Sequence, residues 1–380
     1  MRVQFFGDIA LHGVHADCFE LSEPLRRLIG EGDLNVGNFE CPVTESEARI
    51  APHPVHLKCR AGDLKLLAGF HAFSLANNHL LDYGAEGLND TIRNLEERHF
   101  QHFGSGQNRA DASRPLLIAK DGIQMAFIGA TRFSFAKSNA PGPAKDSMRS
   151  IGKAIERLKR EKFFVVIYFH WGYEYVPFPS PRERRMAQQC IDHGADLVVG
   201  SHPHIMQGIE SYKGKAIFYS LGNFIFDPDV FTGLSYHEND PRLFRSFIVS
   251  VDVNASHEYV YRIHPYRLAR RRVELLTGVE EEDVVREVEN ISAVLRGHYF
   301  TYLKQYFRHA SEISRQNKKV RIHYTFKDGW NWRSVAKIYS RVNYQDVLNK
   351  LVGSVWKGGG RLTGSSPAGE NDHGDHRKVF

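Results

Sequence analysis

The sequence is poor in cysteine and has no long apolar run. Its 380 residues include four cysteines, and no two of them are spaced as Cys-x-x-Cys. This scarcity excludes a disulfide scaffold and favours reduced, buried thiols. No stretch approaches 18 consecutive apolar residues, so we expect no membrane-spanning helix. Residues 2–6 run straight into Gly7-Asp8, which leaves no room for a signal peptide, and we therefore expect a cytoplasmic protein.

A large excess of one charge is also missing. Lysine and arginine number 50 against 44 aspartates and glutamates, and the formal net charge is +6. So mild an excess does not indicate nucleic acid as a partner, and we expect none. Charged residues make up 25% and hydrophobic residues 42% of the chain, as in an ordinary globular protein. The length allows one large domain with an appendage, or two domains.

Short apolar runs alternate with amphipathic patterns up to about residue 254. The runs have the length of buried strands, and the amphipathic patterns have helical periodicity. Asp121-Gly122 is a tight-turn pair inside an apolar stretch and predicts a hairpin. This alternation predicts an α/β layered fold. The predicted strands lie at 3–8, 33–40, 72–79 and 163–172, the hairpin at 115–131, and the helices at 84–99, 150–162 and 182–194.

The pattern changes after about residue 275. Residues 280–316 have helical periodicity throughout, and two further helices are predicted at 331–342 and 344–356. The end of the chain is rich in glycine, serine and charge without periodicity, which predicts a disordered tail. We therefore predict three parts: a domain at 1–275, a helical extension at 276–356 and a tail at 357–380.

Two histidines flank a proline just after the apolar stretch Leu197-Val198-Val199. Burying histidine without a partner is costly, so His202 and His204 need an explanation. Pro203 disfavours helix at the preceding residue, and side chains two apart in an extended chain point the same way. We therefore expect an extended His-Pro-His segment that aims two imidazoles at a metal. This pattern is weak evidence when it stands alone.

Other polar side chains end the earlier apolar strands. Sites in layered α/β folds form where several strand ends converge, although any one of these residues could merely cap a helix or occupy a turn. Histidine nitrogens and carboxylates together suit manganese, iron, zinc or cobalt rather than calcium. Two such metals, roughly 3.5–4 Å apart, activate water and stabilise a tetrahedral transition state. The strand-end residues are Asp8, Asn38, Glu40, Asn77, Asn78, His79, His170, His202 and His204.

His79 has a possible role other than metal binding. It stands beside Asn78 and could serve as a general acid, with Asp82, three residues further on, orienting the imidazole. His12 lies four residues past Asp8 and could either add a ligand or line the rim of the pocket.

Long stretches of the chain resemble the CapA family of poly-γ-glutamate capsule biosynthesis proteins. They include "NFECPVT" (38–44), "SLANNHLLDYGAEGL" (74–88), "HWGYEY" (170–175), "GADLVVGSHPHIMQGIE" (194–210) and "FYSLGNFIFD" (218–227). The resemblance implies a domain related to the calcineurin-like metallophosphoesterases, a β-sandwich flanked by helices with the site at one edge of its two sheets. A C-terminal helical appendage would follow this domain.

The same resemblance implies a role for each site residue and two divalent metal ions, Mn, Fe or Zn. Asp8 and His204 would serve one metal, and Glu40 would stand at the bridging position. The wider superfamily usually has Asp-x-His where this chain has Asp8-Ile9-Ala10, so the first metal lacks a ligand unless His12 or solvent supplies it. Asn78, His170 and His202 would bind the second metal, while His79, with Asp82, would be the catalytic acid.

Two functions follow from this resemblance. The first is a metal-dependent hydrolase that cuts a phosphoester or a glutamyl amide in a capsule or other cell-envelope polymer. The second is a non-catalytic subunit that binds such a polymer, or partner enzymes, in a capsule biosynthesis complex. An anionic polymer or phosphoester substrate could meet Arg132, Lys213 or Lys215. The basic, aromatic helix at 298–309 could touch a membrane surface peripherally or pack on the domain.

Overall fold

The computed structural model describes residues 1–50, 55–227, 240–269 and 271–327, with side chains described as far as residue 317. The helices predicted at 331–342 and 344–356, and the tail predicted at 357–380, lie outside the described residues.

Strands and helices alternate through the first two thirds of the chain. The strands are β1 (Arg2–Ala10), β2 (Glu20–Leu21), β3 (Leu34–Phe39), β4 (Ala72–Ser74), β5 (Gln101–Phe103), β6 (Ser105–Gly106), β7 (Leu116–Lys120), β8 (Ile123–Thr131), β9 (Gly142–Pro143), β10 (Phe164–His170), β11 (Leu197–Ser201), β12 (Ile209–Tyr212), β13 (Lys215–Phe218), β14 (Asn223–Phe226), β15 (Arg245–Val253), β16 (Tyr259–Ala269) and β17 (Arg272–Leu275). The helices are α1 (Glu23–Gly30), α2 (Gly84–Glu96), α3 (Arg109–Ala112), α4 (Met148–Arg160), α5 (Pro181–Asp192), α6 (Val279–Arg296) and α7 (Tyr299–Lys327).

Two mixed sheets carry most of these strands. The first sheet has the order β2-β17-β16-β15-β1-β3-β4-β5, and the second has the order β12-β13-β11-β10-β8-β7. In the first sheet β1, β3, β4 and β5 run parallel, and in the second β8, β10, β11 and β13 run parallel. Since parallel strands end at the same edge of a sheet, each sheet brings several carboxyl ends together. The predicted 115–131 hairpin is confirmed as antiparallel β7 and β8.

Strand β1 changes partner along its length. Its first half pairs antiparallel with β15, whereas its second half, from Asp8, pairs parallel with β14. Gly222, the residue before β14, lies very close to Gly7 of β1. A Cβ on Gly7 would lie 1.9 Å from the Gly222 carbonyl oxygen. Only glycine fits at such an approach. This crossover places Asp8 beside Asn223 at the end of the first sheet.

The two sheets pack face to face, and helices cover both outer faces. In β10, Phe164, Val166 and Tyr168 belong to the core between the sheets, while Val165 and Ile167 belong to the core under the helices. A strand buried on both faces reads as one continuous apolar run, which is why 163–172 was predicted as a strand. Helices α1 and α2 cover the first sheet, and α4 and α5 cover the second. The predicted β-sandwich flanked by helices is therefore confirmed.

The C-terminal helices pack against the second sheet's helical layer. Leu295 of α6 and Tyr302 of α7 lie in the same core as α4 and α5. Their residues up to Val320 belong to one compact unit that begins at Met1. The prediction of a continuous helix over 280–316 is wrong at Gly297. The ψ angle of −167° at this residue ends α6, and α7 begins at Tyr299. The division of the chain at residue 275 stays a prediction.

The aromatic segment 298–309 is partly buried. Tyr302 and Tyr306 are core residues, whereas Tyr299 and Phe300 are exposed. Packing on the domain therefore accounts for part of this segment, and a peripheral membrane contact stays a prediction for the rest. Within the described residues, the helices lack the combination of length and apolarity that a membrane crossing requires.

Replacing Tyr302 by alanine is expected to lower the free energy of unfolding by roughly 3–5 kcal/mol, the range for large aromatic residues in cores. The Tyr302 ring lies under the Arg184 guanidinium at 4.9 Å, and its hydroxyl donates to the Pro179 carbonyl oxygen at 2.8 Å. Tyr302→Phe removes only the hydroxyl and should cost about 1 kcal/mol. Urea denaturation measures the free energy of unfolding of both variants. A denaturation midpoint of Tyr302→Ala equal to that of the parent would contradict the packing of α7 on the domain.

Candidate metal centre

The carboxyl ends of strands from both sheets meet at one edge of the sandwich. Asp8 lies in β1, Glu40 follows β3, His170 ends β10, and His202 and His204 follow β11. All five residues are at most 4% exposed. Because buried charges need partners or metals, so many ionisable groups at one point require a specific explanation.

These side chains form two overlapping groups of possible metal ligands. One group is Asp8, Glu40 and His170, and the other is Glu40, His202 and His204; within each group the candidate ligand atoms lie within 4.8 Å of one another. Glu40 belongs to both groups. Its Oε1 is 3.4 Å from His170 Nε2 and 3.9 Å from His204 Nε2. The shared carboxylate is the feature that a bridging ligand would have.

Asn78 and two histidines converge on a second point. The Asn78 Oδ1 lies 2.6 Å from His170 Nε2, and His202 Nδ1 lies 3.0 Å from the same nitrogen. His170 Nε2 is thus in contact with both an amide oxygen and a second imidazole nitrogen. The His204 ring also lies near Asp8, with Nδ1 3.6 Å from Asp8 Oδ2.

The electrostatics of the cluster fit a cation. Burial, with Asp8 as neighbour, raises the pKa of Glu40 well above its usual value. Among the described residues, Glu40 Oε1 has no hydrogen-bond partner, although it is fully buried. Asn38 Nδ2 donates to the other carboxylate oxygen, Oε2, at 3.4 Å. Burial also lowers the pKa of His170 and His202 well below the usual value, with neighbouring imidazoles contributing. Neutral imidazoles and a carboxylate oxygen without a donor are the groups that a divalent metal uses.

Asparagines hold the candidate ligands in place. Asn38 Nδ2 donates to Asp8 Oδ1 at 2.8 Å and lies 3.2 Å from His170 Nδ1. Asn223 Oδ1 lies 2.9 Å from His204 Nδ1, so it accepts the proton on that nitrogen and leaves Nε2 with its lone pair. Asn77 Nδ2 donates to the Phe39 carbonyl oxygen at 2.7 Å and fixes the chain next to Glu40. The sequence had not assigned Asn223, although a polar residue opening the apolar strand "NFIF" was the available signal.

The His-Pro-His segment is not extended, and this part of the prediction is wrong. Strand β11 ends at Ser201, and φ is +95° at His202 and +60° at His204. Such left-handed conformations cost on the order of 1–3 kcal/mol each in non-glycine residues, so the surroundings must stabilise them. The His202 backbone N–H donates to Asp8 Oδ2 at 3.1 Å, which draws the turn toward the carboxylates. Both rings still reach the cluster, with centroids 5.9 Å apart.

His79 and Asp82 form a separate pair beside the cluster. His79 Nδ1 is 2.8 Å from Asp82 Oδ2, which also accepts the Leu57 N–H at 2.7 Å. Because a carboxylate can only accept, Nδ1 carries the proton and Nε2 has the lone pair. The His79 side chain is 10% exposed, more than the 0–3% recorded for His170 and His204. This geometry suits an imidazole that exchanges a proton with a bound molecule.

His12 and two of the three candidate cations are not part of the cluster. His12 Nδ1 is 3.0 Å from the backbone of Lys58, and His12 belongs to neither group of possible ligands in the described chain. Lys213 and Lys215 pair with aspartates at 2.6 and 3.0 Å. Lys215 opens β13, whereas the cluster lies at the opposite ends of its parallel neighbours. Arg132 directly follows the end of β8, next to His170.

The comparison with known families covers this whole region. The family model for bacterial capsule synthesis protein PGA_cap matches residues 2–228, which is more than half of the chain. The chain belongs to this family. The match includes every residue of the cluster, from Asp8 to Asn223, and it confirms the resemblance described above.

Relatives of this PGA_cap protein include two curated CapA proteins. It is 36% identical to the PGA biosynthesis protein CapA of Bacillus subtilis over 217 residues, 55% of this chain and 56% of that protein. It is 37% identical to the capsule biosynthesis protein CapA of Bacillus anthracis over 208 residues, 51% of each chain. The chain thus spans about half the length of these relatives.

More distant similarities extend further along the chain. A probable polyglutamine synthesis accessory protein of Mycobacterium tuberculosis is 26% identical over 278 residues, 68% of this chain and 72% of that protein. Among solved structures, a putative 5'-nucleotidase from Staphylococcus aureus aligns with a TM-score of 0.43 and 12% identity, covering 76% of this chain and 58% of that chain.

Proposed function

We propose that this PGA_cap protein is a metal-dependent hydrolase that acts in the synthesis of a capsule or related polyglutamate polymer. The bond that it cuts is a phosphoester or a glutamyl amide. The observation that carries the proposal is the buried Glu40 Oε1, which has no hydrogen-bond donor in the part of the chain that the structure describes and is shared by both groups of candidate ligands. The names of the CapA relatives and of the mycobacterial accessory protein support the pathway.

The metal assignment cuts across the two groups of mutually close ligand atoms, which pair Asp8 with His170 and His202 with His204, and keeps Glu40 between the two ions. Asp8 and His204 would hold one metal ion, and Asn78, His170 and His202 would hold the other. Oxygen and imidazole ligands of this kind suit Mn, Fe or Zn. When bound, such ions supply an activated water and neutralise charge that develops in the transition state.

The remaining residues transfer protons and limit the access of water to the cluster. His79, its Nδ1–H held by Asp82, can take up a second proton on Nε2 and give that proton to the leaving group. Phe133 covers the His202 ring with centroids 4.4 Å apart, and Phe226 lies 5.0 Å from the His204 ring. These aromatic rings limit the access of water to the imidazoles.

A second function is favoured by one specific feature. Ala10 stands where the wider metallophosphoesterase superfamily has a histidine ligand, and His12 is occupied by the Lys58 backbone. With fewer ligands on the Asp8 side, the domain would bind an anionic polymer, or partner enzymes of a capsule biosynthesis complex, without cutting a bond. The metal would then be absent or structural.

Elemental analysis of the purified protein is expected to find close to two metals per chain and turnover of 4-nitrophenyl phosphate that rises with added Mn²⁺. The Asn78→Ala, His202→Ala double variant should lose metal and turnover together, because both residues contact His170 Nε2. A His193→Ala variant serves as the control, because it removes an exposed histidine that belongs to neither group of candidate ligands in the described chain. A double variant that retains metal as tightly as the parent contradicts the assignment, and one metal or none without turnover supports the binding function.

A further inference from the structure

Arg132 lies beside the candidate metal centre at the end of β8. In the parallel pairing of β8 and β10, Thr131 is the neighbour of His170, and Thr131 Oγ1 donates to the His170 carbonyl oxygen at 3.0 Å. The next residue, Arg132, therefore starts its side chain one position from the strand end that carries a candidate ligand.

Aromatic rings surround the Arg132 guanidinium. Its central carbon lies 5.7 Å from the Tyr173 ring centroid and 5.9 Å from that of Phe133. Phe133 in turn packs on His202, so a single ring separates the guanidinium from the cluster. Tyr173 is 51% exposed and the Arg132 side chain is 31% exposed. A cation held between aromatic faces, open to solvent and next to a metal centre, is placed to meet a bound molecule.

The charge of Arg132 is only weakly engaged within the described residues. Its hydrogen bond to Glu183 Oε1 is long, at 3.4 Å, and the other oxygen of that carboxylate already accepts the Ser180 N–H at 2.6 Å. The other two cations considered for an anionic substrate, Lys213 and Lys215, form closer ion pairs with aspartates. A guanidinium has five donors in a rigid fork, and most of the fork of Arg132 remains available to a ligand.

We propose that Arg132, flanked by Tyr173 and Phe133, forms a subsite for a second anionic group of the substrate, a carboxylate or a phosphate next to the bond that is cut. This inference rests on the proposed function, since it assigns the substrate class of the same site. The planar guanidinium binds such an oxyanion through two parallel hydrogen bonds. The subsite selects substrates that carry repeated acidic groups over neutral ones.

The test is a binding titration with two acidic probes. The Mn²⁺-loaded full-length parent and its Arg132→Ala, Arg132→Lys and Lys213→Ala variants are titrated calorimetrically with penta-γ-glutamate and with tripolyphosphate. Arg132→Ala should weaken binding of the recognised probe by roughly tenfold to a hundredfold, the usual loss for hydrogen bonds to a charged group. Arg132→Lys should restore part of the affinity, because it keeps the charge but not the fork, and Lys213→Ala should bind like the parent.

The two probes distinguish a carboxylate from a phosphate as the group that Arg132 binds. A loss confined to penta-γ-glutamate assigns a carboxylate, and a loss confined to tripolyphosphate assigns a phosphate. Equal metal content in Arg132→Ala and the parent is part of the expected result, and a loss of metal would overturn the proposal. So would unchanged affinity of Arg132→Ala for both probes, or a parent that binds neither.

The outcome for Arg132 is separable from that for the hydrolase. If the parent does not turn over 4-nitrophenyl phosphate but binds a probe through Arg132, the subsite stands and the proposed chemistry falls. If the parent does turn over the ester and Arg132→Ala binds both probes as tightly as the parent, the chemistry stands and the subsite falls.

Discussion

Replacing His79 by alanine is expected to lower metal-dependent turnover of 4-nitrophenyl phosphate by about 100- to 10,000-fold, the contribution of a positioned acid or base. The imidazole is held by Asp82 at 2.8 Å and retains partial exposure at the cluster. It belongs to neither group of candidate ligands among the described residues. The metal content of His79→Ala should therefore equal that of the parent, and the loss should fall on kcat.

A second histidine–carboxylate pair provides the control for His79. His193 Nδ1 also lies 2.8 Å from a carboxylate oxygen, that of Glu156, but this pair is exposed on the surface. His193→Ala should leave turnover unchanged. Asp82→Asn should show an intermediate loss, because an amide no longer favours the proton on His79 Nδ1. Turnover in His79→Ala equal to that of the parent would remove His79 from the chemistry.

Replacing Glu40 by glutamine is expected to abolish the stabilisation that metal gives without lowering the stability of the metal-free protein. Metal at a thousand times its dissociation constant should stabilise the parent by about 4 kcal/mol. In the metal-free parent, the Glu40 carboxyl is buried next to Asp8, and both factors raise its pKa. Glutamine is neutral and of similar size, so it removes the cost of burying an ionisable carboxyl here, but it provides a poorer ligand. Thermal unfolding with Mn²⁺ and with chelator measures both effects.

Glu210 is the matched control for Glu40. It is also a buried glutamate, but its Oε1 accepts from the Arg184 guanidinium at 2.8 Å. Glu210→Gln breaks a largely buried ion pair and should lower stability by roughly 3–5 kcal/mol, with the shift on adding metal retained. The opposite responses of two buried glutamates would distinguish a metal ligand, Glu40, from a member of an ion pair, Glu210. A Glu40→Gln protein that is still stabilised by metal as strongly as the parent would contradict its role as a ligand.

The position of the site could be predicted from the sequence because of a property of parallel strands. Apolar runs with polar ends are visible in the sequence, and parallel strands end at a common edge, so Asp8, Glu40 and His170 were expected to meet. The division of the strands between two sheets was not visible. It depends on β1 pairing with β14 and β15, which lie more than 200 residues further along the chain.

The His-Pro-His turn shows where local reasoning fails. Pro203 restricts its own backbone and that of its predecessor, and this local preference favoured an extended segment. A hydrogen bond from His202 N to Asp8 Oδ2 instead holds His202 at positive φ. The two residues are separated by most of the domain, so no nearby sequence pattern reports the contact. No local sequence pattern reports the hydrogen bond between Asn223 and His204 either.

The cluster draws its members equally from the two sheets. Asp8 lies in a strand of the first sheet, and Glu40 and Asn78 follow strands of that sheet. His170 ends a strand of the second sheet, and His202 and His204 follow another. A metal bound by both sets is a cross-link across the seam of the sandwich, and it can form only after both sheets have folded and docked. Removal of the metal by a chelator should therefore open the contact between the two sheets at this edge before either sheet unfolds. Amide hydrogens at this edge should then exchange first, while those in the middle of β10 remain protected.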